Sequence, residues 1–205
     1  MKVAIIGGTG KLGMALAAQL SKKHEVLIGS RDKAKAERAA RTVPGVRGED
    51  ELGAAGACEA AILAIPYAAV GRMGALEPAL AGKLVISPVV PMKIEKGTFH
   101  YAAESGSAAE EIASLLKRSR VAAALHTVPA RFMLESGRGD IDVLIAADDK
   151  KTFDEAAAIV GSISGVRPLY GGPLSMASSI ERITPLLRNL AKMNGMKIPS
   201  IKFVA

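Results

Sequence analysis

The chain has 205 residues, 49% of them apolar, and its 27 lysines and arginines against 20 acidic residues give a formal charge of +7. That length buries one substantial core, or a nucleotide-binding domain with a small addition, and would cramp two full domains. No uncharged apolar run reaches the roughly 18 residues needed to cross a bilayer, and a single cysteine, Cys58, excludes an internal disulfide framework and a cysteine-cluster metal site.

In chain order, residues 3–6 read as a short buried strand and residues 14–20 as a helix. Between them "GGTGKLG" sets Gly8, Gly10 and Gly13 in the spacing G-x-G-x-x-G. In that fingerprint the glycines serve the tight turn, the close approach of a pyrophosphate and helix–strand packing, while the helix N-terminus presents free N–H groups and a positive dipole end. The N-terminus enters the strand without a separate basic region, apolar stretch or cleavage site, so no export signal is read and a cytoplasmic protein is expected.

"HEVLIGSR" follows as a second strand, "KAKAERAART" as a helix stopped near Pro44, and "GVRG" as a short third strand. "EAAILAIP" makes the fourth strand, "YAAVGRMGALEPAL" a helical crossover and "KLVISPVVP" the fifth strand. Ser107 and Glu110 can form a capping box that opens the helix "SAAEEIASLLKRS", which leads into "VAAALHTVP" as the sixth strand. The alternation predicts an α/β fold, a Rossmann-like doubly wound, mostly parallel sheet, over residues 1–131.

From about Phe132 the pattern changes. "IDVLIAADD" and "GVRPLY" read as two strands flanking a helix begun by a second capping box, Thr152 and Glu155, and a long helix runs over residues 175–194 with a kink or break at Pro185. No repeat or low-complexity linker is visible, so residues 132–205 are expected as a small α/β part packed closely on the first domain.

The second strand ends in "IGSRD", with Arg31 eighteen residues past Gly13. An acidic residue there accepts from the ribose 2′-hydroxyl of NAD, whereas donors and positive charge suit the 2′-phosphate of NADP. Ser30 and Arg31 fit NADP, and Lys35 lies one helical turn further on. Asp32 stands one position beyond the expected ligand. The basic residues are otherwise scattered and aromatics few, so the charge favours small polyanions over nucleic acid.

Ligands of open α/β sheets bind outside the carboxyl ends of the strands. That rule selects Ile65 and Pro66 after the fourth strand, residues 87–91 after the fifth and "HTVPARF" after the sixth. A proline in each gives rigid, mostly apolar walls suited to flat rings. The only histidine at this mouth is His126, which could hydrogen-bond a ring or orient the chain. His24 is placed at the opposite end of the sheet, and His100 has no assigned role.

The motifs "GGTGKLG", "GSR", "AIP", "SPVVP", "LHTVPARF", "RPLYGGPL" and "NGMKIPSIKF", in this order over nearly the whole chain, resemble the coenzyme F420-dependent NADP oxidoreductases. The resemblance implies a cytoplasmic homodimer that moves a hydride between NADP(H) and coenzyme F420, an 8-hydroxy-5-deazaflavin. It places NADP on Gly8, Thr9, Gly10, Lys11, Leu12, Gly13, Ser30, Arg31 and Lys35, with Ile65 and Pro66 at the nicotinamide. It places the deazaflavin against Ser87, Pro88, Val89, His126, Val128, Pro129 and Ala130, with Asn194 and Met196 from the last helix. Three positions depart from the family pattern: Lys11 replaces a small polar residue, "HTVPARF" is one residue shorter, and "MKIPSIKF" carries a proline where glycine is usual.

Transfer between two cofactors asks the protein to stack the reacting carbons and exclude water, with no obligatory acid or base. Two other readings stay open at this point. One is an NADPH-dependent reductase of a small carbonyl or imine, with Tyr67, Tyr101 or His126 as proton donor. The other is a non-catalytic NADP(H)-binding redox sensor.

Overall fold

The computed structural model describes residues 1–104, 106–135 and 140–204. Its strands are β1 (Lys2–Ile6), β2 (Glu25–Ser30), β3 (Val46–Asp50), β4 (Ala60–Leu63), β5 (Leu84–Ser87), β6 (Met92–Glu95), β7 (Thr98–Tyr101), β8 (Arg120–Ala123), β9 (Ile141–Ala146) and β10 (Val166–Gly172). Eight of them form one sheet in the order β10-β9-β8-β5-β4-β1-β2-β3, and β6 and β7 pair separately as a hairpin. From β3 to β8 all pairings are parallel; β9 joins β8 antiparallel, in register only at Ala146 and Ala123. The strands of the C-terminal part therefore extend the same sheet.

Both faces of the central sheet are covered, so its strands are apolar throughout instead of alternating. Val3 and Ile5 face one core, closed by α1 (Lys11–Leu20), α2 (Lys33–Ala40), α6 (Ala130–Leu134) and α7 (Lys150–Val160). Ala4 and Ile6 face the other, closed by α3 (Glu51–Ala57), the 3₁₀ run Tyr67–Leu76 with α4 (Glu77–Leu80), α5 (Ala108–Leu115) and α8 (Ala177–Glu181). Strand order reverses at β1, whose neighbours are β2 and β4. A crevice at the carboxyl ends of β1 and β4 follows from that reversal.

Several local expectations are corrected. The crossover after β4 is a 3₁₀ run, not a regular helix, up to Leu76; Gly71 and Gly74 weaken α-helix there. The segment "ELGAAGA" forms α3, capped by Asp50, which accepts from the Gly53 N–H at 2.7 Å. The β6–β7 hairpin turns on Lys96 and Gly97, both at positive φ (49° and 80°). The sixth strand of the sheet stops at Ala123, and residues 124–129 are irregular.

Helix α7 begins at Lys150, two residues before Thr152, because Asp149 accepts from the Thr152 N–H at 2.8 Å and takes over the cap. The Ser107–Glu110 box is present: the Ser107 hydroxyl accepts from the Glu110 N–H at 3.1 Å and donates to its carboxylate at 2.7 Å. The last long helix divides at Arg182 into α8 and α9 (Ile183–Asn194). Proline at 185 has no N–H for the Glu181 carbonyl four residues back, so the break falls one turn before the proline.

The contact that fixes α1 on β1 is glycine on glycine. A Cβ on Gly13 would lie 2.4 Å from the Gly8 Cα. Alanine normally favours a helix interior over glycine by about 1 kcal/mol; here the backbone clash reverses the sign, and Gly13→Ala is expected to cost ~1–3 kcal/mol. Urea unfolding checks this as a lowered midpoint at unchanged slope, and an unmoved midpoint would refute the contact.

Candidate functional site

The turn after β1 is tied to β2 by the Gly7 N–H, which donates to the Gly29 carbonyl at 2.9 Å. Gly8 is required by the protein itself, since a Cβ there would sit 2.7 Å from the Ile5 carbonyl oxygen. Gly10 differs. It is exposed, and a Cβ would find no heavy atom nearer than 3.8 Å. Packing does not demand glycine at that place, which leaves the backbone there open to close approach. Gly10 is also the N-cap of α1, offers no side-chain cap, and is followed by a first turn without acidic residues. The N–H groups of Lys11, Leu12 and Gly13 and the positive end of the helix therefore face an open cradle that suits a pyrophosphate. Thr9 is half-buried beside it, and Lys11 is exposed at its rim.

At the end of β2, Ser30 is buried and its hydroxyl accepts from the Asp32 N–H at 3.3 Å. The local carboxylates are engaged elsewhere. Asp32 caps α2 by accepting from the Lys35 N–H at 3.0 Å, Asp50 caps α3, and Glu49 pairs with Lys33 at 2.8 Å. Arg31 and Lys35 are exposed and, among the described residues, form no ion pair. Two free cations beside a buried hydroxyl fit a phosphate on the ribose, and Asp32 is turned to its own helix.

The other half of the crevice is apolar. Ile65 packs under the glycine turn, its Cγ2 only 2.8 Å from where a Gly7 Cβ would be, and exposed Pro66 caps the 3₁₀ run. Ser87 is buried, with its carbonyl accepting from the Ala124 N–H at 3.0 Å and its hydroxyl from the Val89 N–H at 3.3 Å. Pro88, Val89 and Val128 are buried, and Pro129 and Ala130 are half-buried.

His126 stands among them, presented by Leu125 at a φ of 70°, a left-handed conformation unusual for leucine. Its ring is buried and neither ring nitrogen has a hydrogen-bond partner. Burial presses its pKa down to about 3, so the ring is neutral, one nitrogen a donor and the other an acceptor, both unspent. Both nitrogens are thus available to a polar partner.

Thr184 and Ser200 complete the wall; the sequence assigns no role to either, although Ser200 lies within the motif "NGMKIPSIKF". Thr184 donates to the His126 carbonyl and Ser200 to the Thr127 carbonyl, each at 2.9 Å. The only sequence signal for Thr184 is a hydroxyl beside the helix-breaking Pro185. Asn194 and Met196 are not brought to this pocket. Asn194 donates to the Leu190 carbonyl at the far end of α9, Met196 is exposed, and ten residues of helix carry them about 15 Å from Thr184.

Residues 2–91 match the family model described as NADP oxidoreductase, coenzyme F420-dependent. A protein of Methanothermobacter marburgensis named F420-dependent NADP reductase is 38% identical over 218 aligned positions, covering 98% of this chain and 97% of that one. A putative F420-dependent NADP-reductase from Arthrobacter sp. FB24 superposes with a TM-score of 0.89 at 24% identity, each chain covered in full. An imine reductase from Myxococcus stipitatus, in complex with NADP+, shares the fold at a TM-score of 0.69 and 17% identity, covering 95% of this chain but 63% of its own.

The state of His126 has a measurable consequence. The unfolded chain takes up a proton on this imidazole near pH 6.5, and the folded chain does not until about pH 3. Stability therefore falls as pH drops below 6.5, by up to about 1.4 kcal/mol per pH unit for one such group. His126→Phe is expected to flatten the dependence between pH 7.5 and 4.5 in urea unfolding, and parallel curves for the two proteins would contradict the buried neutral ring.

Proposed function

This chain belongs to the coenzyme F420-dependent NADP oxidoreductase family, and we propose on that premise that it transfers a hydride between NADP(H) and coenzyme F420. The observation that carries the reading is one sheet edge holding two different sites. An open cradle at Gly10 with unpaired Arg31 and Lys35 lies beside an apolar pocket in which the buried His126 nitrogens have no partner. Bound together, the nicotinamide and the deazaflavin supply the chemistry, a hydride exchanged between their rings.

The residues bind, orient and exclude water. Thr9, Gly10, Lys11 and Leu12 hold the pyrophosphate, and Ser30, Arg31 and Lys35 hold the 2′-phosphate. Ile65 and Pro66 seat the nicotinamide. Ser87, Pro88, Val89 and Val128 wall the deazaflavin, with Pro129 and Ala130 at its edge, while His126 meets a polar edge of the ring. In this reading the nucleotide site lies within residues 1–131, and residues 132–205 complete the deazaflavin pocket and the dimer contacts. Water excluded from that pocket protects the hydride and tightens the stacking geometry.

A carbonyl or imine reductase would need a free proton donor at the same edge. The Tyr101 hydroxyl is spent on the Glu181 carboxylate at 2.7 Å, the Tyr67 hydroxyl is engaged by Glu111, and the His126 ring, neutral down to about pH 3, carries no imidazolium proton to give. A redox sensor would need no second pocket with an unpartnered histidine. Loss of deazaflavin absorbance on mixing with NADPH and oxidised F420, against ketone and imine panels with NADPH, separates these readings.

A cytoplasmic homodimer is part of the proposal. Leu186 (57% exposed), Leu190 and Met193 (72% exposed) form an apolar stripe along α9 at helical spacing. A second copy covers it. Leu190→Glu is expected to shift sedimentation toward monomer, and a wild-type protein that sediments as an active monomer at all concentrations would defeat the assignment.

Arg31→Ala removes charge-assisted hydrogen bonds to the 2′-phosphate worth roughly 1.5–3 kcal/mol, a tenfold to hundredfold weakening of NADPH. NADH lacks that phosphate, so the ratio of kcat/KM for NADPH over NADH collapses. Lys35→Ala acts in the same direction but more weakly. Equal losses with both nucleotides would move Arg31 to the pyrophosphate or the fold.

A further inference from the structure

The carbonyls of His126 and Thr127 are held by hydroxyls from two separate C-terminal elements. Thr184, in the first turn of α9, donates to the His126 carbonyl, and Ser200, in the tail after α9, donates to the Thr127 carbonyl, each at 2.9 Å. Among the described residues neither carbonyl accepts from a backbone N–H. Sheet pairing of β8 ends at Ala123, and past the Ala124 N–H, which donates to the Ser87 carbonyl at 3.0 Å, the segment has no ladder to fix it. Its seat against the C-terminal part therefore depends on two side-chain hydrogen bonds.

Ser200 is held in turn. Pro199, immediately before it, has a fixed φ and stiffens the approach. Strand β9 meets β8 only at Ala146 and Ala123, so beside Asp142 the side of β9 away from β10 has no neighbouring strand, and the tail takes that place. The Asp142 N–H donates to the Ile201 carbonyl at 2.9 Å, and the Phe203 N–H donates to the Asp142 carboxylate at 2.5 Å. Arg167, which forks onto both oxygens of that carboxylate at 2.7 and 2.8 Å, also donates to the Phe203 carbonyl at 2.9 Å. Residues 200–203 are thus tied at one end to the His126 segment and at the other to a buried carboxylate. They add little to the core: Ser200 and Ile201 are half-buried, Lys202 and Phe203 exposed.

We propose that Ser200 is a positioning residue for the deazaflavin pocket, and that residues 200–203, locked by Asp142 and Arg167, are the strap that holds it in place. The assignment rests on the hydride-transfer reading above and adds to it a residue that sets the ring's affinity through a neighbouring carbonyl. While Thr127 is held, the His126 imidazole keeps one place and the pocket keeps the spacing that stacking of the reacting carbons needs. Once it is released, the segment is free to pivot between Thr184 and Leu125, whose left-handed backbone (φ 70°) persists only where its surroundings enforce it. The nucleotide cradle at the ends of β1 and β2 shares none of these bonds, so the effect is confined to one cofactor.

Calorimetric titration with F420 and with NADPH, beside steady-state kinetics and urea unfolding, tests the strap. S200A weakens F420, in Kd and in KM, about three- to tenfold. NADPH affinity stays within about twofold, and the urea midpoint is unmoved because water replaces a half-buried hydroxyl as donor. S200T, which keeps the hydroxyl, retains F420 affinity. R167K keeps the charge but loses the fork that joins Asp142 to the Phe203 carbonyl, and it weakens F420 in the same direction. S200A/R167K is no weaker than S200A alone, since both act through one contact. Unchanged F420 affinity in S200A, equal losses for both cofactors, or multiplying effects in the double variant would overturn the assignment while the hydride-transfer reading stands. Failure of the wild-type protein to bind F420 would overturn that reading and the strap with it.

Discussion

The approach of α1 to the first turn, Gly13 against Gly8 with no side chain between them, sets the geometry on which the nucleotide half depends. A helix held that close aims its first-turn N–H groups at one point above the carboxyl ends of β1 and β4, where the sheet reverses direction. Gly10 then remains the one fingerprint glycine that packing does not explain. The three glycines separate by physical cause: two are imposed by the chain on itself, and the third borders open space. Neighbouring carboxylates are spent on the caps of α2 and α3 and on Lys33. That leaves Arg31 and Lys35 as the charges available to a phosphate.

The apolar half of the crevice is held from further away. His126 is placed by a left-handed Leu125 and by Thr184, a residue 58 positions later in the chain. Burying an imidazole with both nitrogens unpaired is costly in a folded protein. Below it, Ser87 joins β5 to the segment after β8 through its own carbonyl. The two apolar strand ends are thereby joined into one wall.

The C-terminal residues are secured by a separate polar anchor. Buried Asp142 accepts from Arg167 at 2.7 and 2.8 Å and from the Phe203 N–H at 2.5 Å, and its own N–H donates to the Ile201 carbonyl at 2.9 Å. Arg167 chiefly holds that carboxyl down to about pKa 2, so it stays ionised over the working range. Glu181 does comparable work at the other end, tying α8 to the start of α5 and to Tyr101. Between these anchors α9 presents one side to the hairpin and leaves the other, with Leu186 and Met193, exposed.

The sequence by itself determined the glycine turn, the central strands, the Ser107 cap and the character of the phosphate end, because each rests on residues within a few positions of one another. It also carried the resemblance that identified the second cofactor. It did not disclose α3, whose glycines mask helical periodicity, nor the hairpin, whose four-residue strands carry too little pattern. A break at Arg182 in place of Pro185 follows from the hydrogen bond proline cannot make, which acts one turn away. Only the tertiary structure decided that Asp32 faces its helix, that Thr184 reaches His126 and that Asn194 and Met196 lie beyond it. Each of those depends on which of several polar groups is left without a partner after packing. That is a property of the folded neighbourhood, and no window of the chain contains it.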